Sequence, residues 1–345
     1  MPRGLRRRLL QCAAWPLYCA LAGVNRLARR RKAPPAASAG LPPFRPGISI
    51  VIPERSNPEL LGACLESLRT ACSPLTEPYE VIVVASGSAP ALYESLMRDA
   101  DSTRWTFSRR ALRFSGAVRK GLAAARYDWV YLLNNDMVLD PAALASLLPL
   151  RSPKVFAVAS QIYFQDPSKR REETGWTAFT ADGGPIEILD QLPEDDSTVR
   201  GTFYAGGGAS LFRRDLLARF SDDSAVYDPF YWEDVEWGAR AWWSGYEVLF
   251  CPASKVWHAH RATNRLFFPE REIDRIQQRN RLVFHLRNGP AIGSLAEFDR
   301  TIAPFHWRSI LEVLSPIRFA RIIRGRWRNR KLSAGVLTLE YTWHQ

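Results

Sequence analysis

Three places in the chain concentrate side chains able to do chemistry. The run DWVYLLNNDMVLD, Asp128 to Asp140, closes an apolar stretch with Asn134, Asn135 and Asp136 before turning apolar again. Asn and Asp suit a plain turn after a strand. In an open parallel sheet, however, the carboxyl ends of strands are where ligands bind, and an aspartate oxygen there is a hard ligand for Mg or Mn. Further on, YDPFYWEDVEW sets Glu233, Asp234 and Glu236 behind Phe230, Tyr231 and Trp232. Acids in a first helical turn are commonplace because they suit the helix dipole, and for Glu236 that reading stands level with a functional one. Glu233 and Asp234 differ. Adjacent aromatics strip a carboxylate of water and raise its basicity, which fits it to take a proton from a hydroxyl. Finally, His258 and His260 end SKVWHAH. Two apart on a strand they face one side, and imidazole ligates Mn-type ions.

These groups need a frame. ISIVIP (48–53) and YEVIVV (79–84) read as short buried strands, and Leu60, Leu61, Cys64, Leu65 and Leu68 between them keep a helical spacing. A helical stretch from Ala89 to Asp99, a short strand around Trp105 and the helical FSGAVRKGLAAAR follow. They deliver the chain to the strand Trp129–Leu133, after which Pro141 starts another helix. Strands alternating with helices predict an α/β fold with a mainly parallel central sheet. Pro53, Ser86 and Asn134 to Asp136 then share one edge. The turns carry neither a GxGxxG nor a GxxxxGK pattern, which argues against a dinucleotide cofactor or a P-loop nucleotide. Beyond residue 150 the character changes, with a Gly-rich YAGGGASLFRRD and a helix from Glu233 to about Ser244 that Gly245 ends.

The 345 residues suit one large domain with extensions. Five cysteines without metal-ligand spacing suggest a reduced compartment. Net charge is +12, but its placement matters more: residues 1–32 carry nine Lys and Arg, and residues 316–331 carry seven, with no acid in either. The body between is slightly acidic, which disfavours a nucleic-acid groove. Three regions follow: a basic, partly apolar segment with a proline-rich linker (1–46), a catalytic domain (47–289) and a basic amphipathic extension (290–345). The apolar part of the first region, about Leu9 to Val24 and interrupted by Pro16, is shorter than the roughly 20 residues a spanning helix needs. Ala20-Leu21-Ala22 would serve a signal peptide. The Arg29-Arg30-Arg31-Lys32 cluster favours the cytoplasmic side and an interfacial helix. SPIRFARIIRGRW sets Ile317, Phe319, Ile322 and Ile323 among arginines in the same manner. The expectation is a protein peripheral to the cytoplasmic face of an anionic membrane.

Taken in order, ISIVIP…PELLGACLESL…YEVIVV, FSGAVRKGLAAARYDWVYLLNNDMVL, GGGASLFRRDLL, FYWEDVEWGARAWWSGYEVLFCPASKVWHAH and RNRLVFHLRN resemble an inverting family-two glycosyltransferase over about Gly47 to Asn288. The likeness is strongest to bacterial rhamnosyltransferase-like members. It implies a GT-A fold, a nucleotide-diphosphate sugar donor, a glycan or lipid-linked acceptor and a divalent metal, Mn or Mg. NND stands where the family carries its D-x-D motif, so Asp136 would bind the metal, with His258 as the later metal contact and His260 close by. Asp234 would be the base and Glu233 its neighbour in the acceptor site. The donor would be met by Pro53, Glu54, Arg55, Ser86, Lys120, Asn134, Asn135, Gly207 and Gly208, with Gly206 to Gly208 allowing close backbone approach. Two departures fall in the nucleotide pocket: Ala85 stands where an aspartate is usual, and Glu54-Arg55 replace Thr-Tyr. RREETGW, Arg170 to Trp176, fits an acceptor site or a loop staple. A nucleotidyltransferase is the competing enzyme class, but PERSNPELL lacks the glycines its phosphate loop requires. A catalytically inactive binding module is the other alternative, and the joint presence of Asp136, Glu233, Asp234 and His258 speaks against it.

Overall fold

The computed structural model describes residues 3–28, 44–98, 103–165, 175–180, 186–259, 262–289 and 294–332. The first half is a run of strand–helix units: β1 (Ile48–Glu54), α2 (Pro58–Cys72), β2 (Tyr79–Ser86), α3 (Glu94–Arg98), β3 (Thr103–Ser108), α4 (Arg113–Ala124) and β4 (Trp129–Leu133), preceded by α1 (Arg3–Leu27). Next come β5 (Met137–Leu139), α5 (Ala143–Leu147), β6 (Val155–Phe164), the hairpin β7 (Thr177–Thr180) and β8 (Glu187–Asp190), β9 (Arg200–Gly201), β10 (Ala209–Arg213) and α6 (Arg214–Phe220). The chain then forms α7 (Glu233–Trp243), β11 (Glu247–His258), α8 (Ala262–Phe267), α9 (Glu270–Asn288), α10 (Leu295–Ile302), α11 (Trp307–Val313) and α12 (Pro316–Leu332).

The apolar strands are buried on both faces. Ile48, Ile50 and Ile52 of β1, with Trp129, Tyr131 and Leu133 of β4, pack against α2 and α5 through Leu61, Cys64, Leu68, Leu144 and Leu147. The alternate residues Val51, Val130 and Leu132 pack against α4, α6 and α7 through Val118, Leu122, Leu216, Phe220 and Trp237. The main sheet runs β3-β2-β1-β4-β10-β6-β11-β5, with β9 on β11. Its longer pairings are parallel, while β10, β5 and β9 pair antiparallel to their neighbours. The chain winds outward from β1 to β3 and then returns to lay β4 on the other side of β1. At such a reversal the connections leave β1 and β4 in opposite directions, and a crevice opens at their carboxyl ends. Pro53 to Arg55 lie on one lip and Asn134 to Asp136 on the other.

Part of the apolar face of each terminal helix packs inward. The helix α1 continues through Pro16 and turns Ala14, Leu17, Leu21 and Val24 inward, where they are buried. Three of these four join a third core with Ile322 of α12, Phe298 of α10, Ile310 of α11 and Val283 of α9. Burying this stripe offsets the backbone hydrogen bond that proline removes. Arg326 is fully buried and donates to Leu286 O at 2.7 Å and Asn25 Oδ1 at 2.9 Å. Residues 294–332 are therefore built into the body. Trp15, Leu27 and Ile317 remain exposed. No helix among the described residues is long and apolar enough to cross a membrane.

Candidate active site

A cavity of about 850 Å³ opens at the β1/β4 crevice and reaches the amino end of α7. The turn after β4 is fixed from beneath: Asn134 N donates to Gly208 O at 2.7 Å, and the Cys64 thiol donates to Asn134 O at 3.6 Å. Antiparallel pairing of β5 with β11 sets His258 opposite Met137, and Ala259 N donates to Asp136 O at 2.9 Å. The result is that His258 Nε2 lies 3.4 Å from Asp136 Oδ1. Asp136 Oδ1 is buried and makes no hydrogen bond among the described residues. Native proteins rarely leave a buried carboxylate oxygen in that state without a ligand.

On the nucleotide lip, Pro53, Glu54, Arg55 and Ser86 all line the cavity. Glu54 is held rather than free: its carboxylate accepts from Asn57 N at 2.7 Å, from Tyr93 OH at 2.9 Å and from the Asn135 amide. Burial pushes its pKa upward. Asn135 in turn accepts from Thr263 Oγ1 at 3.1 Å, so β1, β4 and α8 are tied by one chain of bonds. The Arg55 guanidinium lies 3.6 Å over the Phe267 ring, a cation–π contact that makes a flat wall. Ala85 packs fully buried in the core and offers no polar group. Lys120 is not brought to the site. Its ammonium donates to Phe107 O at 2.6 Å, and it lines no part of the cavity.

Across the cavity stand Asp234 and Glu233. Asp234 Oδ2 accepts from Gly207 N at 3.1 Å and Oδ1 from Val235 N at 2.9 Å. Burial raises the pKa of Asp234, and these backbone donors work against that rise by favouring the charged form. Glu233 is buried with Oε2 making no hydrogen bond. Burial first, and then the charge of Asp234, push its pKa well above the carboxylate range. Both carboxyls are shifted upward by burial, but only Asp234 has backbone donors that favour its charged form at the cavity wall. Side chains are barred from the floor between them, because a Cβ on Gly207 would meet Phe114 Cζ at 2.7 Å and one on Gly208 would meet Asn134 Nδ2 at 2.9 Å.

Glu236 belongs to the scaffold. It accepts from Arg287 Nε at 2.9 Å and Nη2 at 3.1 Å, and from Asn329 Nδ2 at 2.7 Å. Burial would raise its pKa, but Arg287 and Arg240 overcome this and hold it down at about 2. The loop before α7 was legible only as an aromatic run. Tyr231 and Trp232 sit there at φ 72° and 77°, a conformation that costs bulky residues on the order of 1–3 kcal/mol each. Asn280 of α9 holds it by donating to Phe230 O at 2.8 Å and Tyr231 O at 3.0 Å. RNRLVFHLRN is part of the family resemblance, but no local pattern assigns Asn280 this clamp. His260 and Arg170 to Thr174 lie outside the described residues.

A doubly wound sheet whose acidic pocket sits at the carboxyl ends of its parallel strands is the GT-A architecture. A solved structure of GalNAc-T7 with UDP, GalNAc and Mn2+ shares it, with a TM-score of 0.58 and 14% identity over 83% of this chain and 55% of that one. The chain therefore spans about half the length of that neighbour. A looser likeness, with a TM-score of 0.48 and 19% identity over 92% of this chain and 85% of that one, is to the mannosyltransferase PcManGT from Pyrobaculum calidifontis in complex with GDP-Man and Mn2+. The family model described as glycosyltransferase like family 2 matches residues 46–283, well over half of the sequence, and the chain belongs to that family. Comparison with curated proteins gives no match.

Proposed function

We propose that the protein transfers a sugar from a nucleotide-diphosphate donor to a hydroxyl of a glycan or lipid-linked acceptor, with inversion, in cell-envelope or exopolysaccharide synthesis. The observation that carries this reading is one cavity with two acidic stations. Asp136 and His258 stand together at one, and Asp234 with Glu233 at the other. Among the described residues no group of three or more His, Cys, Asp or Glu could hold a metal ion. Asp136 and His258 would hold a divalent ion as the two protein ligands, which suits Mg or Mn sites completed by substrate phosphates and water. The buried, unbonded oxygen of Asp136 fits that role. When bound, such an ion offsets the negative charge that builds on a departing diphosphate.

The chain's own residues do the rest. Arg55 stacked on Phe267, with Pro53 and Ser86, offers the nucleotide a flat apolar wall edged with donors. Asn134 and Asn135, the latter oriented by Glu54, face the sugar-diphosphate, while Gly207 and Gly208 let it approach the backbone. The acceptor hydroxyl lies against Asp234, whose carboxylate takes its proton as the oxygen attacks the anomeric carbon. Glu233 orients the same hydroxyl. One displacement by an oxygen on the face opposite the leaving group inverts the centre, and no enzyme-bound intermediate is needed.

Asp136→Asn tests the metal station. It should weaken Mn-dependent binding of the nucleotide sugar at least about tenfold, read by calorimetry, with unchanged circular dichroism. Equal metal and donor binding by parent and variant would reduce NND to a turn.

Peripheral attachment to the cytoplasmic face of an anionic membrane is part of the same proposal. It rests on the two basic runs and on Trp15, Leu27 and Ile317, which remain exposed where Leu17, Leu21 and Ile322 are buried. Liposome co-sedimentation should rise with anionic lipid and fall with salt; indifference to both would remove the membrane from the account.

A further inference from the structure

The cavity extends past the family match. Its wall beyond the Asp234 station is built by Glu272, Arg275, Ile276 and Arg279 of α9 and by Arg318 of α12, the last lying outside the matched residues 46–283. The four α9 residues recur at the spacing of one helix face. Arg279 is fully engaged: Nη1 donates to Glu312 Oε2 at 3.1 Å, Nη2 to Asp228 O at 2.6 Å and Nε to Asn280 Oδ1 at 3.0 Å. Arg275 bridges Glu312 and Glu272. Arg318 is different. Its guanidinium makes one hydrogen bond among the described residues, Nη1 to Glu312 O at 3.1 Å, which leaves Nε and Nη2 for a visitor. Burial, and then the nearby Arg279 cation, push the Arg318 pKa down to about 10. A guanidinium crowded in this way gains from an oxyanion, whose two oxygens match its fork. Asp228, Arg318, Glu233 and Asp234 all line the same cavity.

We infer that Arg318, with Arg275 and Arg279 behind it, binds an oxyanion carried by the acceptor, a phosphate or a carboxylate, beside the hydroxyl that faces Asp234. This rests on the glycosyltransferase reading above. It gives α12 a part in choosing the acceptor, which the donor does not require.

The test is ligand-observed NMR on the full chain. The protein is saturated with Mg2+ and whichever of UDP, GDP or dTDP binds best, so that the diphosphate station is filled. The probes are phenyl phosphate and benzoate. The parent should bind at least one of them, and Arg318→Gln should weaken that probe about tenfold or more while nucleotide affinity stays within about twofold. Arg318→Lys should keep part of the binding. Phenyl phosphate ahead of benzoate assigns the group as a phosphate, and the reverse assigns a carboxylate. Equal probe binding by parent and Arg318→Gln, or no probe binding to the nucleotide-loaded parent, would overturn the inference. Failure of every nucleoside diphosphate to bind would instead overturn the donor reading, and the inference with it.

Discussion

Asp234→Asn is expected to bind donor and metal like the parent and to transfer sugar roughly 10²–10⁴-fold more slowly, the usual cost of removing a general base. The amide keeps the shape of the carboxylate but cannot accept a proton at neutral pH. Asp234 meets the protein through two backbone donors, Gly207 N and Val235 N; an amide oxygen keeps one of those contacts and the amide nitrogen loses the other, so donor binding and circular dichroism are read on the same variant. Glu233→Gln should be much milder, since that side chain only orients the acceptor hydroxyl and its burial already disfavours the charged form. As mere first-turn acids, either residue could be changed with a small loss of stability and no loss of turnover. Steady-state kinetics with calorimetry on the same samples decides. Turnover by Asp234→Asn within a few-fold of the parent would remove it as the base.

The second large effect is on stability. Glu236→Ala should cost about 3 kcal/mol, the low end of the range for removing one partner of a buried pair, since the other charge would be left with Asp223 alone of its two carboxylates. Arg287 would be that charge; it is 1% exposed and surrounded by protein. It also donates to Asp223 Oδ2 at 2.9 Å and Arg321 O at 2.6 Å, so the loss spreads to α12. Space is tight there, for a Cβ on Gly325 would stand 2.0 Å from Arg287 Nη1. The pH dependence has a definite sign. The folded pKa of Glu236 is held at about 2 against an ordinary 4.5. Its contribution is therefore fully present above about pH 4.5 and is lost as pH falls toward 2. Glu233 acts oppositely: its raised pKa costs stability as pH climbs past 4.5, so Glu233→Gln should stabilise the fold at neutral pH. Urea unfolding of parent and variants between pH 3 and 8 measures both. A Glu236→Ala loss under about 1 kcal/mol would mean Arg287 has other means of support.

How much of this was legible in the sequence depends on the distance over which each contact acts. The parallel strands of the first half announced themselves because Ile48 to Ile52 and Trp129 to Leu133 are buried on both faces and so read as unbroken apolar runs, whereas β6, which pairs parallel with β11, was not read. The antiparallel members did not, since β5 has three residues and β9 two. Asp136, Glu233 and Asp234 stood out as acids abruptly following apolar or aromatic residues, and the cavity gathers all three. Glu236 stayed ambiguous because its partners arrive from 51 and 93 residues away. Lys120 was expected at the donor with the other residues that the resemblance implies, while the structure sends its ammonium to Phe107 O. The terminal helices carry an amphipathic pattern that serves a membrane or a neighbouring helix equally well; Leu17, Leu21 and Ile322 took the neighbour.

Metal-assisted capture of a nucleotide sugar in the β1/β4 crevice is put to the test by a thermal-shift panel. UDP-, GDP- and dTDP-sugars would be screened with Mn2+, with Mg2+ and with chelator, against a nucleoside triphosphate plus sugar phosphate as the nucleotidyltransferase control. One base family should stabilise the protein only when metal is present, by about 2.7 kcal/mol at a ligand concentration 100 times Kd. Stabilisation by the triphosphate and sugar phosphate alone, or by no nucleotide sugar under any condition, would contradict it.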